Sequence, residues 1–446
     1  MKAIANFFRQ IKHYPSAVAG LIIIAFMVIL AIYAVIAIPY SEAVRLWRGG
    51  EDVWKETPRN ARPAWFNLFY KEKQSVTQIM RSTENPEVKT VVDLGNGVKT
   101  NDFVFEFDYP YDGFPTELAI FFTSTFKSAR PNASVKWITP DGREIPMQDL
   151  TLRPSETYNI SQDTRLTRRL GGATPHVGLF ADPNNPNKVL KGTYKLVIEG
   201  LVFEEDANIE ATFVVYGKLY GFAGTDHRRR DIGVALLWGA PVALSIGLVV
   251  AVGSSLATMV LAALAVWYGG WIDWIIRRIN EVVMILPLLP ILIMIGLFYS
   301  RNIWVIMGTT ALLGIFGSGI LSYRSMFLQV KTSGYIDAAR AYGASNMRII
   351  FKYLIPKVIP VLIPGFVTQI PSYVFLEATL AVLGLGDPSL PTWGKLLNDA
   401  YSRGALFNGQ YYWVIEPAVL LILTGLGFAM VGFALDRIFN PRLRGL

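Results

Sequence analysis

Few side chains in this sequence have the types and spacing that catalysis or metal binding requires. Cysteine is absent, which excludes disulfides, thiolate metal sites and cysteine nucleophiles. The three histidines, His13, His176 and His227, are far apart and lack ligand spacing. The Gly-Lys pairs at 217–218 and 394–395 are both followed by Leu, whereas a P-loop needs Ser or Thr there. We therefore predict a chain that is not an enzyme and binds no metal, ATP or other cofactor.

The composition indicates a lipid environment. Of the 446 residues, 52% are hydrophobic and 17% are charged, against about 45–50% and about 25% in soluble domains. Crossing a bilayer takes about 20 apolar helical residues. We expect six transmembrane helices, and the first is a retained anchor because Pro39 and Tyr40 stand where a signal peptide would have a small-residue cleavage site. The apolar runs are 17–38, 234–267, 282–299, 303–321, 358–383 and 414–435.

The distribution of charge predicts the orientation. Residues 41–230 contain equal numbers of basic and acidic side chains, so the net charge of +8 lies in the apolar remainder and its loops. Basic residues beside apolar spans favour the cytoplasmic side, and this pattern argues against nucleic-acid binding. We expect a multi-pass protein of the inner membrane with both termini cytoplasmic and residues 41–230 extracytoplasmic, although Arg228, Arg229 and Arg230 oppose the rule. The basic residues that we place at the cytoplasmic ends of the spans are Lys2, Arg9, Lys12, Arg277, Arg278, the cluster from Arg324 to Lys357, Arg437, Arg442 and Arg444.

Residues 88–220 have the pattern of strands. Six segments rich in β-branched and aromatic residues are separated by turns, which predicts a β-sandwich of about 130 residues. Asn96-Gly97 and Asp141-Gly142 predict two-residue hairpin turns, in which both central residues have positive φ. Residues 41–80 are expected to be helical or irregular, with Trp47, Trp54, Trp65 and Phe66 at the membrane interface. A packing or docking module and a ligand-capturing domain remain alternatives for this block.

Residues 335–356, YIDAARAYGASNMRIIFKYLIP, lie between the fourth and fifth spans on the basic side. The pattern predicts a short helix containing Ala338 and Ala339, a break at Gly343, a second helix over 345–354 and a stop before Pro356. Two short helices parallel to a membrane fit a partner's groove, and alanines permit close backbone approach. An amphipathic helix at the membrane surface is the alternative interpretation.

The segment resembles the cytoplasmic docking loop of ABC importer permeases, whose pattern is E-A-A, three residues, G, nine residues, then I-x-L-P. Ala338, Ala339, Gly343 and Pro356 match, while Asp337 replaces the Glu. Tyr353 replaces the Ile and Ile355 the Leu. The resemblance assigns ATPase docking to Asp337, Ala338, Ala339, Arg340, Gly343, Ala344, Tyr353, Ile355 and Pro356.

From about residue 224 onward the sequence is similar to the C-type permease of the dipeptide, oligopeptide and nickel importers. GTDHRRRDIGVALLWGAPVALSIG resembles the segment before the second span, with Arg229 where the family has Gly. YGGWIDWIIRRINEVVMILP, LEATLAVLGLG, PTWGKLLNDA and the terminal FNPRL are further matches in the same order. The β block lies outside the common pattern and is interpreted as an insertion.

The resemblance implies an all-α type I permease fold of six transmembrane helices with an inserted extracytoplasmic β domain. The expected domains are 1–40, 41–225 and 226–446, with the docking loop at 324–357. The implied partners are a second permease, two ATPase subunits that bind ATP and Mg, and an external substrate-binding protein. The implied substrate is a peptide or another small polar solute, such as an oligosaccharide or a nickel complex.

Glu377 is a charged residue within the apolar run 372–383, where it costs at least about 2.5 to 3.5 kcal/mol. It is interpreted either as a pathway or gating residue, together with Trp393, or as a buried partner for a polar group. Two other functions remain open: a membrane-anchored sensor whose β block binds a ligand, and a secondary transporter. The latter requires carboxylates deep in several helices, and Glu377 alone is a clear candidate.

Overall fold

A computed structural model describes residues 14–50, 52–95 and 97–439. They form two compact units: the helical unit holds the described residues up to Arg48 and from Val234 onward, and the β unit holds residues 49–233. Some residues used above lie outside the described ranges, namely Lys2, Arg9, Lys12, His13, Asn96, Arg442, Arg444 and the FNPRL motif beyond Phe439.

Elements are numbered in chain order. The helices are α1 Pro15–Ala37, α2 Tyr40–Arg48, α3 Thr164–Arg169, α4 Pro175–Gly178, α5 Ile232–Tyr268, α6 Gly270–Ile285, α7 Leu288–Phe298, α8 Ile303–Ile315, α9 Ser318–Lys331, α10 Gly334–Ala341, α11 Asn346–Ile349, α12 Ile355–Leu380, α13 Trp393–Ser402 and α14 Tyr412–Phe439. The strands are β1 Gln78–Arg81, β2 Lys89–Gly95, β3 Val98–Tyr109, β4 Glu117–Thr125, β5 Asn132–Ile138, β6 Glu144–Thr151, β7 Ser155–Tyr158, β8 Ala181–Asp182, β9 Asn185–Val189, β10 Gly192–Val202 and β11 Asn208–Tyr216.

The β unit has two main antiparallel sheets that share one apolar core. Their strand orders are β1-β11-β4-β7 and β2-β3-β10-β5-β6, and β8 and β9 form a separate hairpin. Alternate residues of β3 point inward, where Phe107 lies 5.9 Å from Trp137 and 5.8 Å from Phe213, centroid to centroid. Because side chains alternate across a strand, this period of two buries one face of each sheet. The arrangement is that of a β-sandwich.

One of the two hairpin predictions differs from the structure. The β2–β3 turn has Gly97 at φ +79°, as a tight hairpin requires. At the β5–β6 turn only Gly142 has positive φ, and its N–H donates to the Thr139 carbonyl at 2.9 Å. The Thr139 N–H in turn donates to the Arg143 carbonyl at 3.0 Å. This is a three-residue loop that ends in a left-handed glycine, so the two-residue prediction at Asp141-Gly142 is wrong.

The arginines that oppose the charge rule are built into the β unit. Arg230 donates from Nε to Asp226 Oδ2 at 2.6 Å, and both side chains are buried. Arg229 has φ +65°, donates to Glu117 at 2.5 Å and lies 4.8 Å from the centroid of the Tyr216 ring. A left-handed backbone favours glycine, which is the residue at this position in the family pattern that the segment resembles. Here the ion pair and the ring contact hold the arginine in place.

In the helical unit, four helices are long and apolar enough to cross a membrane: α1, α5, the segment Leu362–Leu385, which covers most of α12 and the π-helical turn Ala381–Leu385 after it, and α14. Two further candidates are bent pairs, α6 with α7 at 78° and α8 with α9 at 41°. The unit is therefore a membrane domain with four to six apolar crossings among its described residues.

The predicted third and fourth spans, 282–299 and 303–321, are not continuous helices. The first breaks at Leu286, whose extended backbone precedes Pro287. A residue before proline is pushed out of the helical region, and proline lacks an N–H to continue the ladder. The second breaks at Phe316 and Gly317, both of which have extended backbones. A hydropathy pattern carries no signal for either break, but Pro287 is itself a sequence signal for a kink at the first of them.

Close packing in the helical unit depends on Gly239 of α5. A Cβ atom there would lie 2.2 Å from Cδ1 and Nε1 of Trp393, the first residue of α13. The Trp393 indole N–H also donates to the Leu236 carbonyl at 2.9 Å. Trp393 is buried and fixes α13 against α5.

We expect Gly239→Ala to destabilise the protein by about 1–3 kcal/mol, because the indole has to move out of a packed site. The matched control is Gly253→Ala on the same helix, where a Cβ meets nothing within 4 Å. The control should be neutral or should stabilise the helix by up to about 1 kcal/mol. Thermal unfolding of the purified variants checks this, and equal melting temperatures would contradict the packing role of Trp393.

Candidate functional site

The segment that resembles a docking loop is a helix, a glycine turn and a second helix. After α10 ends at Ala341, the Gly343 N–H donates to the Arg340 carbonyl at 2.9 Å. The Ala344 N–H donates to the Ala339 carbonyl at 3.0 Å. With φ +74° at Gly343, this is a Schellman motif, in which a left-handed residue satisfies the last helical carbonyls. The predicted break at Gly343 has a local chemical cause.

The second helix continues further than the sequence predicts. It begins at Asn346, where the Ser345 hydroxyl caps the Arg348 N–H at 3.4 Å. It then passes through a π-helical segment, Ile350–Leu354, directly into α12. The predicted stop before Pro356 is therefore wrong. Pro356 occupies the first turn of α12 next to the wider π turn, where a missing N–H is tolerated.

One face of this segment packs inside the chain. Ile336, Ala339 and Ile349 are buried. They share a cluster with Met259, Val266 and Trp267 of α5, Phe327 of α9, and Ile350, Leu354, Ile355 and Val358 of the following helix. Two of the predicted docking residues, Ala339 and Ile355, therefore have their side chains in the core of the helical unit.

The opposite face is open. Asp337, Ala338, Arg340, Gly343, Tyr353 and Pro356 are exposed, and Ala344 is half-buried. The structure adds exposed apolar side chains that the sequence analysis did not assign to docking, among them Tyr342, Met347 and Phe351. Tyr342 is 92% exposed directly beside the glycine turn. The helical repeat could have identified these residues, because it places them on the face opposite to the buried side chains.

Charged contacts hold the start of the segment in place. Arg324 of α9 forms two hydrogen bonds with Asp273 of α6, each 2.8 Å long. Lys331 donates from Nζ to the carbonyl of Val266 at 2.6 Å, and the Arg340 guanidinium lies 4.5 Å from the centroid of the Trp267 ring. A bidentate pair fixes orientation as well as distance. The segment is thus attached to α5 and α6 through several independent contacts.

A second feature is a cavity of about 270 Å³ where the two broken spans meet α5 and α12. Its polar groups include Ser254, Ser255 and Thr258 from α5 and Gln369 from α12. Leu286, Phe316 and Gly317 from the two helix breaks also line it. The remaining lining residues are Val283, Leu288, Ile291, Leu313, Gly314, Ser318, Gly319 and Tyr323. Its lining residues carry hydroxyl and amide groups and are all uncharged, so it is suited to hydrogen bonding with a neutral polar solute. The sequence analysis did not identify it.

The candidate pathway residues Glu377 and Trp393 are placed together, and neither lines this cavity. Glu377 is 7% exposed, and its Oε1 finds no hydrogen-bond partner within the described residues. A Cβ atom at Gly394 of α13 would lie 2.6 Å from the Cα atom of Ala378, the residue that follows Glu377. Thr392, just before α13, caps that helix by accepting from the Lys395 N–H at 3.1 Å. Glu377 therefore lies at the junction between α12 and α13.

Comparison with known proteins gives the family. A family model described as the binding-protein-dependent transport system inner membrane component matches residues 246–445. The dipeptide transport system permease protein DppC of Bacillus subtilis (strain 168) is 30% identical over 222 residues, covering 50% of this chain and 68% of that protein. The oligopeptide transport system permease protein OppC of the same strain is 28% identical over 222 residues, covering 50% and 72%.

The glutathione transport system permease protein GsiD of Pectobacterium atrosepticum is 30% identical over 230 residues, covering 50% of this chain and 72% of that protein. These matches confirm the resemblance drawn from the docking motif. The chain belongs to the family of binding-protein-dependent transport system inner membrane components, the non-catalytic permease subunits of ABC importers.

Proposed function

We propose that this permease subunit forms half of a translocation pathway and that an ATPase subunit grips it at the docking loop, residues 324–357. The observation that carries the proposal is the division of this loop into a buried face and an open face. Because Ile336 and Ala339 are locked into the core around Trp267, a force on the open face is transmitted to α5 and α9. ATP and Mg are assigned to the ATPase partners.

The proposed topology has six crossings, one of them in each bent pair. Both termini are cytoplasmic, and residues 41–230 form an extracytoplasmic insertion between the first and second spans of the inner membrane. Arg277, Arg278 and the basic docking loop support this orientation through the positive-inside rule. The ion pairs of Arg229 and Arg230 inside the β unit account for two of the three arginines that oppose the rule, and Arg228 lies in the same unit.

The proposed substrate is a peptide or a similar small polar solute. The neutral hydroxyl and amide groups of the cavity match the hydrogen-bonding needs of peptide groups, and the relatives above are named for dipeptide, oligopeptide and glutathione transport. A second permease completes the pathway, and an external binding protein delivers the substrate. ATP-driven closure of the motor subunits would switch the spans between two packings.

We assign Glu377 and Trp393 a gating role at the α12–α13 junction. Trp393 is wedged against Gly239, and Ala378, the residue after the buried Glu377, packs against Gly394 of α13. A movement of α12 is therefore passed directly to α13. This interpretation replaces direct contact with the solute, because both side chains lie outside the cavity lining.

Removing the exposed Tyr342 ring tests the docking face. We expect Tyr342→Ala to weaken binding of the ATPase subunit by at least about tenfold, as loss of an aromatic interface anchor does. Tyr401→Ala is the matched control, since Tyr401 is also highly exposed but lies on α13. Co-purification with the ATPase measures the effect, and unchanged association for Tyr342→Ala would contradict the proposal.

The two adjacent alanines separate docking from folding. Ala338 is exposed and Ala339 is buried, so we expect Ala338→Arg to abolish ATPase binding while membrane insertion and thermal stability stay normal. Ala339→Arg should lower both binding and stability, because it forces a charge into an apolar cluster. Equal stability of the two variants would show that the buried face is assigned incorrectly.

Filling the cavity tests the pathway. The extended backbone of Gly317 accommodates any residue, and a Cβ there meets nothing within 4 Å. We expect Gly317→Phe to abolish ATP-dependent uptake of a radiolabelled peptide into proteoliposomes containing the complete transporter, with ATPase association retained. Gly308→Phe on the exposed side of α8 is the control and should transport normally. Wild-type uptake by Gly317→Phe would remove the cavity from the pathway.

The absence of cysteine makes the topology directly measurable. We expect a membrane-impermeant maleimide to label Glu205→Cys, in the β10–β11 loop, in intact spheroplasts. Tyr342→Cys should react only in inside-out vesicles or after permeabilisation. The reverse pattern would place the docking loop outside the cell, where an ATPase has no access.

A further inference from the structure

The β unit carries a cluster of exposed apolar side chains, which we call the aromatic patch, formed by Trp65, Leu68, Phe69 and Phe222. Leu68, Phe69 and Phe222 are 80%, 75% and 82% exposed. The Trp65 indole N–H donates to the Phe222 carbonyl at 2.9 Å, and the Trp65 and Phe69 ring centroids are 6.2 Å apart. Contiguous exposed apolar residues of this kind mark an interaction surface.

The patch is held firmly at the place where the chain enters α5. The Ala64 N–H donates to the Gly221 carbonyl at 2.9 Å, so the two segments that carry the patch are joined. Ile232, the first residue of α5, donates its N–H to the Gly224 carbonyl at 3.1 Å. The patch is therefore tied through short hydrogen-bonded connections to the start of a candidate membrane span.

A basic pocket of about 410 Å³ adjoins the patch. Arg59, Arg62 and Lys218 line it together with neutral groups such as Tyr70 and Thr116, and its lining residues include no acid. The Arg62 guanidinium donates to the Tyr70 hydroxyl, and the Tyr70 ring lies 6.4 Å from Phe66, next to Trp65. The pocket therefore presents positive side chains, and the contacts of Tyr70 hold Arg62 in position.

We propose that the aromatic patch enters the interfacial layer of the bilayer and that the basic pocket binds the phosphate of an anionic lipid headgroup. Aromatic rings favour the boundary between headgroups and acyl chains, and basic side chains beside them attract anionic lipid. The connection to α5 argues for the bilayer rather than for a protein partner, because the chain continues from the patch directly into a candidate membrane span. The β unit then rests on the membrane as well as being linked to it.

Site-specific fluorescence in the full chain tests the proposal, since an introduced cysteine is unique. An environment-sensitive dye on Leu68→Cys, in nanodiscs of phosphatidylcholine and phosphatidylglycerol, should show a blue-shifted emission and quenching by doxyl-labelled lipid. Glu205→Cys is the control. Glu205 lies just before Asn208, at the far end of the nine-residue strand β11, which is roughly 27 Å long. A dye there should be neither shifted nor quenched. Identical spectra at the two sites would overturn the proposal.

The pocket is tested separately by lipid preference. We expect Arg62→Gln and Lys218→Gln each to reduce the preference for phosphatidylglycerol over phosphatidylcholine by roughly fivefold, since a basic residue at an anionic surface contributes about 1 kcal/mol. Lipid extraction from the purified full chain measures this preference. Arg130→Gln, an exposed cation beyond the end of β4, should leave it unchanged. Equal preference in all three variants, or a Leu68 probe shielded only when a second permease or binding protein is added, would contradict lipid binding.

Discussion

The helical unit depends on one constraint: the free backbone groups at its helix breaks need hydrogen-bond partners. The hydroxyl of Thr258, for example, donates to the carbonyl of Ile315, the last residue of α8, at 2.8 Å. A backbone carbonyl at membrane depth has no water to bond with, so a broken helix is tolerated only where protein groups or a cavity satisfy its free ends. The breaks at Leu286 and Gly317 both open onto the cavity that Thr258 lines. Helix irregularity and the polar cavity therefore have one physical cause.

The proposed docking loop likewise has backbone groups that are hydrogen-bonded within the chain and side chains that remain exposed. The Schellman motif at Gly343 closes α10, and the helical period then sends Ile336 and Ala339 into the core and leaves Ala338 and Tyr342 outside. The Asp273–Arg324 pair and the Trp267 contacts anchor the loop to other helices. The segment therefore combines an open face with a rigid attachment, which is what the proposed docking role requires.

The β unit has a core of its own. Its stability rests on the aromatic cluster around Phe107 and Trp137, which both sheets bury. Three of its exposed aromatic residues, Trp65, Phe69 and Phe222, lie together, and a pocket lined by basic side chains is connected to them through Tyr70 and Phe66. The insertion thus has one set of aromatic residues for packing and another available for an interface.

The amino-acid sequence by itself determined the features that arise from short-range chemistry. The apolar runs, the alternating pattern of β3 and the break at Gly343 depend on neighbouring residues, and the family follows from local motifs such as the one around Ala338. Tertiary structure decided which residues meet. Local patterns do not distinguish Ala338 from Ala339, do not show that Trp393 lies on Gly239, and do not bring Ser254, Leu286, Gly317 and Gln369 around one cavity. Those contacts join elements separated by long stretches of chain, and packing and hydrogen-bond satisfaction between helices select them.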